Sequence, residues 1–161
     1  MFKVSRKSEY ALIAVQYLAA TYGGNVVSVT DLAGQCHVPV DVLAKVLQGL
    51  KRAGIVRAVK GAGGGYGLAR PLAEIRFLDV VHPFEDTLAV VTCQMPNTEC
   101  ERSDNCSLRD PMALLNAYII RQFEALTMDM FVAPHQWLAS ATRTGTMVET
   151  MSLGRRMRMP A

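Results

Sequence analysis

Long hydrophobic runs are missing from this chain. No stretch of eighteen apolar residues occurs, so no membrane-spanning helix and no membrane partner are expected. The first residues lack the long apolar stretch and small-residue cleavage site of a signal peptide, so export is not expected and a cytoplasmic location is. Paired C-x2-4-C knuckles are absent, which makes a zinc finger a poor fit. The glycine-rich stretch near position 63 lacks Gly-Lys-Ser/Thr, so it is not a phosphate loop. No Ser/His/Asp set and no pair of carboxylates is arranged as an enzyme site, and no internal repeat is visible.

What is present points elsewhere. At 161 residues the chain is one domain, or one domain with an appendage. Its net charge of +3 hides a division. Residues 1–71 carry nine Lys/Arg and three Asp/Glu, whereas residues 72–132 carry four Arg and ten Asp/Glu. A basic first half suggests a polyanionic partner.

The hydrophobic period sets the elements. Ser5 or Ser8 can cap a first helix, whose stripe of Tyr10, Ile13, Ala14, Tyr17 and Leu18 reaches Ala20 before Gly23-Gly24-Asn25 ends it. Val26 and Val27 are extended. Thr30 is expected to cap a second helix over Asp31–Cys36. Pro39 suits the first position of a third, running to about Ala53 with Val42, Leu43, Val46, Leu47 and Leu50 inward. Ile55–Lys60 and Tyr66–Arg70 alternate like strands around the tip Gly61-Ala-Gly-Gly-Gly65. That order is the order of a winged helix-turn-helix, so the fold class expected is mainly α. A helical patch follows from Phe77 to about Glu85, kinked or ended by Pro83. A long helix from Leu108 carries Met112, Leu115, Ile119, Phe123 and Leu126, more apolar surface than a lone exposed helix would show. It is expected to pack on its own domain and on another copy. Thr127 is placed to cap a last turn to Val132. Residues 133–161 lose the pattern and read as a loosely ordered tail, with Trp137 and Leu138 as its docking residues. The expected division is 1–71 for DNA binding, 72–132 for a cysteine loop and dimerisation helix, and 133–161 for the tail.

Three groups of residues carry chemistry. Glycines at the hairpin tip, Gly63 and Gly64 among them, let the backbone approach a DNA phosphate. The third helix exposes Lys45 and Gln48, with Lys45 the candidate for a base edge; Arg57, Lys60 and Arg70 are phosphate candidates on the wing. His37 either contacts DNA or forms the turn. Cys93, Cys100 and Cys106 fall within fourteen residues, spaced C-x6-C-x5-C, in a segment without apolar period. The spacing suits a loop wrapped around an iron–sulfur cluster, [2Fe–2S] or [4Fe–4S], with one ligand from elsewhere. Free surface thiols, or a redox pair plus a spare, are the alternatives. Cys36 reads as a buried helix cysteine, and His82 as a half-buried helix-end residue.

These residues carry a resemblance. Ser8-Glu-Tyr-Ala-Leu12, Leu43-Ala-Lys-Val-Leu-Gln48, Lys60-Gly-Ala-Gly-Gly-Gly-Tyr-Gly-Leu68, Leu78-Asp-Val-Val81 and the three cysteines occur in an order similar to that of the IscR/NsrR-type winged-helix regulators, over about residues 1–132. The resemblance implies a homodimer paired through the long helix. It also implies palindromic promoter DNA as partner and an iron–sulfur cluster whose state controls binding. Two positions depart from the pattern: the first cysteine gap has six residues instead of five, and Arg109 stands where one branch has histidine. The nitric-oxide-sensing branch implies a carboxylate from the other subunit as fourth ligand, and the matching position is Glu9. The function expected is a repressor-type regulator that senses nitric oxide, redox state or iron. The alternative is a metal carrier or thiol redox protein without sequence-specific DNA binding.

Overall fold

The computed structural model describes residues 4–20, 25–85, 87–95, 97–102 and 105–132. The tail, with Trp137 and Leu138, and Gly23 and Gly24 lie outside them. Helix α1 spans Arg6–Ala19, α2 Val29–Cys36, and α3 Val40–Arg52. Strands β1 (Val56–Val59) and β2 (Gly65–Leu68) follow, then α4 (Phe77–Val81), α5 (Arg109–Glu124) and α6 (Asp129–Val132). Residues up to Met128 form one compact unit; α6 belongs to a second.

The helix ends follow local hydrogen bonding. Ser5 is the cap of α1, its side chain accepting from the Ser8 N–H. Ser28, not Thr30, caps α2. Ser28 is the last extended residue, and its hydroxyl accepts from the Asp31 N–H, whereas Thr30 already lies inside the helix. His37 closes α2 in the left-handed conformation at φ 53°, so its backbone makes the turn of the helix-turn-helix. Pro39 precedes α3 as its cap instead of standing at its first position. The helical patch after Phe77 is shorter than expected: α4 stops at Val81, and His82–Phe84 tightens into a 3-10 turn with Pro83 in it. His82 is exposed, not half-buried.

The core forms around α1, α2 and α3. Ala11, Ala14, Val15 and Leu18 of α1 meet Leu32 of α2 and Leu43, Val46, Leu47 and Leu50 of α3, all essentially inaccessible to solvent. Ile55, Ile75, Val80 and Met128 belong to the same cluster, so the core runs across position 71. A smaller cluster of Phe77, Leu78, Val81 and Leu88 receives Ile120, Phe123 and Leu126 from α5 and its C-terminal end. The Phe77 and Phe123 rings stand 5.5 Å apart, centroid to centroid. The chain leaving α5 pairs back onto the segment before α4. Phe77 N–H donates to the Leu126 carbonyl at 2.8 Å, and Met128 N–H to Ile75 at 2.9 Å.

Two close approaches fix α1 and α3 against the segment that follows α4. Gly49 of α3 faces the Phe84 ring, and a Cβ there would stand 2.7 Å from it. Glu85, just after the 3-10 turn, reaches the start of α1. Its Oε1 accepts from the Ser5 N–H at 2.6 Å and from the buried Ser8 hydroxyl at 2.5 Å.

Two tests follow from these contacts. Gly49→Ala gains helix propensity of roughly 0.5–1 kcal/mol but overpacks Phe84, which costs about 1–3 kcal/mol. A net loss of about 1 kcal/mol is expected in denaturant unfolding. In the Gly49→Ala/Phe84→Leu double variant the loss should be smaller than the sum of the two singles. Partial desolvation pushes the Glu85 carboxyl up, but the hydrogen bonds from Ser8 and Ser5 outweigh it and hold it below the usual range. Its stabilisation is therefore complete above about pH 4.3, the ordinary glutamate value, and is lost as pH falls through the lowered folded-state value. Glu85→Gln should be less stable than the parent at neutral pH, with the gap narrowing on acidification; melting curves from about pH 6 to pH 3 read it directly.

Candidate nucleic-acid interface and cysteine cavity

α3 has one buried face and one free face. With Leu43, Val46, Leu47 and Leu50 inward, Asp41, Lys45, Gln48, Lys51 and Arg52 are exposed. The start of α3 is equally open: Val40 keeps 44% of its surface. Lys45 and Gln48 thus project from the free face of α3, Lys45 in its first half and Gln48 in its second.

The wing is a two-stranded antiparallel hairpin in the register Val56–Leu68, Arg57–Gly67, Ala58–Tyr66 and Val59–Gly65. Val27 adds an isolated antiparallel bridge to Tyr66. Its N–H donates to the Tyr66 carbonyl at 2.9 Å, and the Tyr66 N–H donates back at 2.8 Å. The tip glycines have different reasons. Gly61 adopts φ 113°, which only glycine adopts freely. A Cβ on Gly64 would stand 2.3 Å from the Val59 carbonyl oxygen, and one on Gly65 the same distance from that of Val27. Gly63 differs: it is exposed, and a Cβ there meets nothing within 4 Å. The fold does not need a glycine at 63.

Arg57 and Lys60 are exposed on the wing. Arg70 is engaged: Nη1 donates to the Glu74 carbonyl at 3.0 Å, and Nη2 stands 3.5 Å from Asp79 Oδ2. It braces the wing's exit to α4.

The cysteine segment passes over α5. The Val90 N–H donates to Asn116 Oδ1 at 2.9 Å, and Thr92–Gln94 makes a 3-10 turn. Cys93 and Cys100 are exposed and Cys106 is partly so, and all three are free thiols. They line one cavity of about 350 Å³ together with Val91, Thr98, Leu108, Arg109 and Met112. Its apolar walls, Leu108 and Met112, stand four apart at the start of α5, a helical spacing that makes them neighbours. Arg109 brings a guanidinium, which cannot ligate a metal but offsets thiolate charge. Among the described residues no three His, Cys, Asp or Glu side chains converge closely enough to hold one metal ion. Cys36 is buried in the main core, and burial pushes its thiol up.

Glu9 is not among the walls of that cavity. It lies half-buried in the first turn of α1, 3.4 Å from Arg6 Nη1, a solvent-exposed pair that adds little stability.

This arrangement has relatives. The sequence profile of the Rrf2 family, described as an iron-dependent transcriptional regulator, matches residues 4–134. The chain belongs to the Rrf2 family. It is 32% identical over 136 residues to an HTH-type transcriptional regulator IscR from Cereibacter sphaeroides, covering 83% of this chain and 82% of that one. It is 34% identical to the protein aau3 of Rhizobium meliloti over 118 residues, 72% of this chain and 76% of that one. Among solved structures, the global cysteine regulator CymR of B. subtilis superposes with a TM-score of 0.65 at 21% identity, covering 83% of this chain and 98% of that one. IscR of T. potens superposes with 0.62 at 24% identity, covering 83% and 88%. This Rrf2-family chain is therefore a winged-helix, DNA-binding transcriptional regulator and not an enzyme. Membership favours the regulator over a carrier without DNA binding.

The glycines separate fold from DNA contact. Gly63→Ala is expected to leave the melting temperature within about a degree, because a Cβ there meets nothing within 4 Å; if the tip approaches a DNA phosphate at this residue, the same variant weakens DNA binding. Gly64→Ala should destabilise the wing by about 1–3 kcal/mol through its clash with Val59. Thermal melts and a DNA-binding titration on both variants check this.

Proposed function

We propose that this Rrf2-family regulator is a homodimeric repressor of palindromic promoter DNA, controlled by an iron–sulfur cluster held by Cys93, Cys100, Cys106 and Glu9 of the partner subunit. One observation carries the reading: three cysteines spread over fourteen residues line a single cavity. Thiols that share a cavity without converging on a point suit a group of several metal atoms better than one ion. The family's iron dependence and the IscR relative agree with it.

Each residue has a distinct part. The three cysteines give up their protons and bind as thiolates, with Arg109 offsetting the negative charge they bring. Val91, Leu108 and Met112 limit water at the cavity. Glu9 offers a hard oxygen donor, which iron holds less tightly than sulfur, so its position is the one most readily yielded to another ligand. When bound, a cluster supplies iron that accepts or gives electrons and takes nitric oxide or oxygen. Glu9 is not among its own chain's cavity walls, which accords with a second subunit as the source of the carboxylate that completes the site. The surface for that subunit is the outer face of α5, where Leu114 and Tyr118 are 74% and 63% exposed although Ile120 and Phe123 of the same helix pack inward.

On DNA, Lys45 and Gln48 read base edges from the major groove. Arg57, Lys60, Gly63 and Gly64 meet the backbone, and Arg70 joins them if it releases Asp79. Residues 1–71 are the DNA-binding part, residues 72–132 the sensing and pairing part, and a protein that binds chromosomal promoters works in the cytoplasm.

The deciding experiment is anaerobic purification. A brown protein absorbing near 400 nm, roughly two to four irons per subunit, is expected. If about eight phosphates are neutralised per dimer, log K for DNA should fall with log salt at a slope of about −7. Glu9→Ala should shorten the lifetime of the bound cluster while leaving the DNA affinity of the cluster-free protein unchanged. A colourless protein that takes up no iron on reconstitution would overturn the sensing reading, and an unchanged lifetime in Glu9→Ala would overturn the fourth ligand.

A further inference from the structure

Glu85 is not among the walls of the cysteine cavity; it shares an open cavity of about 630 Å³ with Lys45 and Arg52 of α3, and it gathers the polar groups at the start of α1. Ser5 caps the helix with its hydroxyl, and its own N–H donates to Glu85 Oε1 at 2.6 Å. Ser8, fully buried, donates its hydroxyl to the same oxygen. The Ser5 carbonyl accepts from the Glu9 N–H at 3.0 Å. One carboxylate, eighty residues away in sequence, therefore holds the turn on which Glu9 stands. The dipole at the α1 N-terminus favours a negative charge there.

The other side of Glu85 is as informative. It follows the 3-10 turn His82–Phe84, which is pinned by Phe84 against Gly49 of α3. It is also where the chain sets out toward Cys93, eight residues on. The root of the cysteine-bearing segment and the turn that presents Glu9 thus meet at one side chain. A buried hydroxyl deprived of its acceptor costs free energy, so this junction holds both pieces in one arrangement.

We infer that Glu85 is a positioning residue of the sensing site: by binding Ser5 and Ser8 it fixes Glu9 for the partner's cysteines relative to the root of its own cysteine loop. This rests on the assignment of Glu9 as a ligand. It has a consequence for the dimer. Each subunit would offer its carboxylate to the other's cavity while that carboxylate is tied to its own loop, so the two sites are linked through two copies of the same junction.

Two measurements on full-length protein test it, one without any metal. In cluster-free protein, amide exchange at residues 6–9 should quicken about tenfold in Glu85→Ala, with the middle of α3 unchanged. Equal exchange in that turn would overturn the inference. In reconstituted protein challenged with a chelator, the cluster of Glu85→Ala should be lost several-fold faster. Glu85→Gln, which keeps an acceptor oxygen, should fall between it and the parent. If Glu9→Ala hastens loss and Glu85→Ala does not, the ligand assignment stands and the positioning role fails. If neither does, the ligand assignment fails and takes this one with it. Should Glu85→Ala not fold, Ser8→Ala removes one of the two donors and is read the same way.

Discussion

The burial of one face of α3 against α1 and α2 is the constraint on which the other features depend. Leu43, Val46, Leu47 and Leu50 are inaccessible, and at a helical period their burial leaves only one arc of α3 free. That arc holds Lys45 and Gln48. The same packing directs the chain out of α3 through the positive-φ Gly54 into Ile55, itself fully buried, so the wing starts from a fixed point. Gly49, on the edge of that buried face, admits Phe84 and so ties the sensing half to the reading half. A change in how α3 sits would be felt at the wing, at Phe84 and at the DNA-facing arc together.

The glycine-rich wing shows how one composition can serve two ends. Gly61 meets a backbone angle, Gly64 and Gly65 meet close carbonyls, and Gly63 meets nothing within the chain. Sequence reading grouped Gly63 and Gly64 as DNA-approaching glycines. Only the backbone geometry separates a glycine that the fold requires from one that leaves space for a partner. The bridge to Val27 adds to the same point. It anchors the wing to the segment before α2, so the hairpin is more than a free two-stranded ribbon.

Legibility followed the range of the interactions. The helices of the DNA-reading half were written in their period, since four inward leucines and valines on α3 are a local pattern. The wing was written in its glycine tip; its strands are buried at their base and open toward the tip, without the expected alternation. The cap of α2 was not, because Ser28 and Thr30 are both competent and only the backbone at 28 decides. Arg70 read as a free cation, because its partners, the Glu74 carbonyl and Asp79, depend on how the chain turns after Pro71. The shared cavity of the three cysteines was legible from their spacing, whereas its apolar walls belong to α5 and needed the loop's docking through Asn116. Glu85 was the least legible of all. A lone glutamate after a Pro-containing turn carries no motif, and its meaning lies in two serines about eighty positions earlier.

The charge division gains a physical role once the halves are folded into one unit. Residues 1–71 carry an excess of six positive charges and residues 72–132 an excess of six negative ones. A duplex attracts positive charge and repels negative charge, so a division of this kind, where it persists on the folded surface, favours approach through the first half. Within the acidic half two cations stand beside the cysteines: Arg109 on the wall of their shared cavity and Arg102 on that of an adjoining one. Separation of charge along the chain therefore accompanies a single core: Ile75, Val80 and Met128 of the acidic half are buried in the same cluster as α1, α2 and α3 of the basic one.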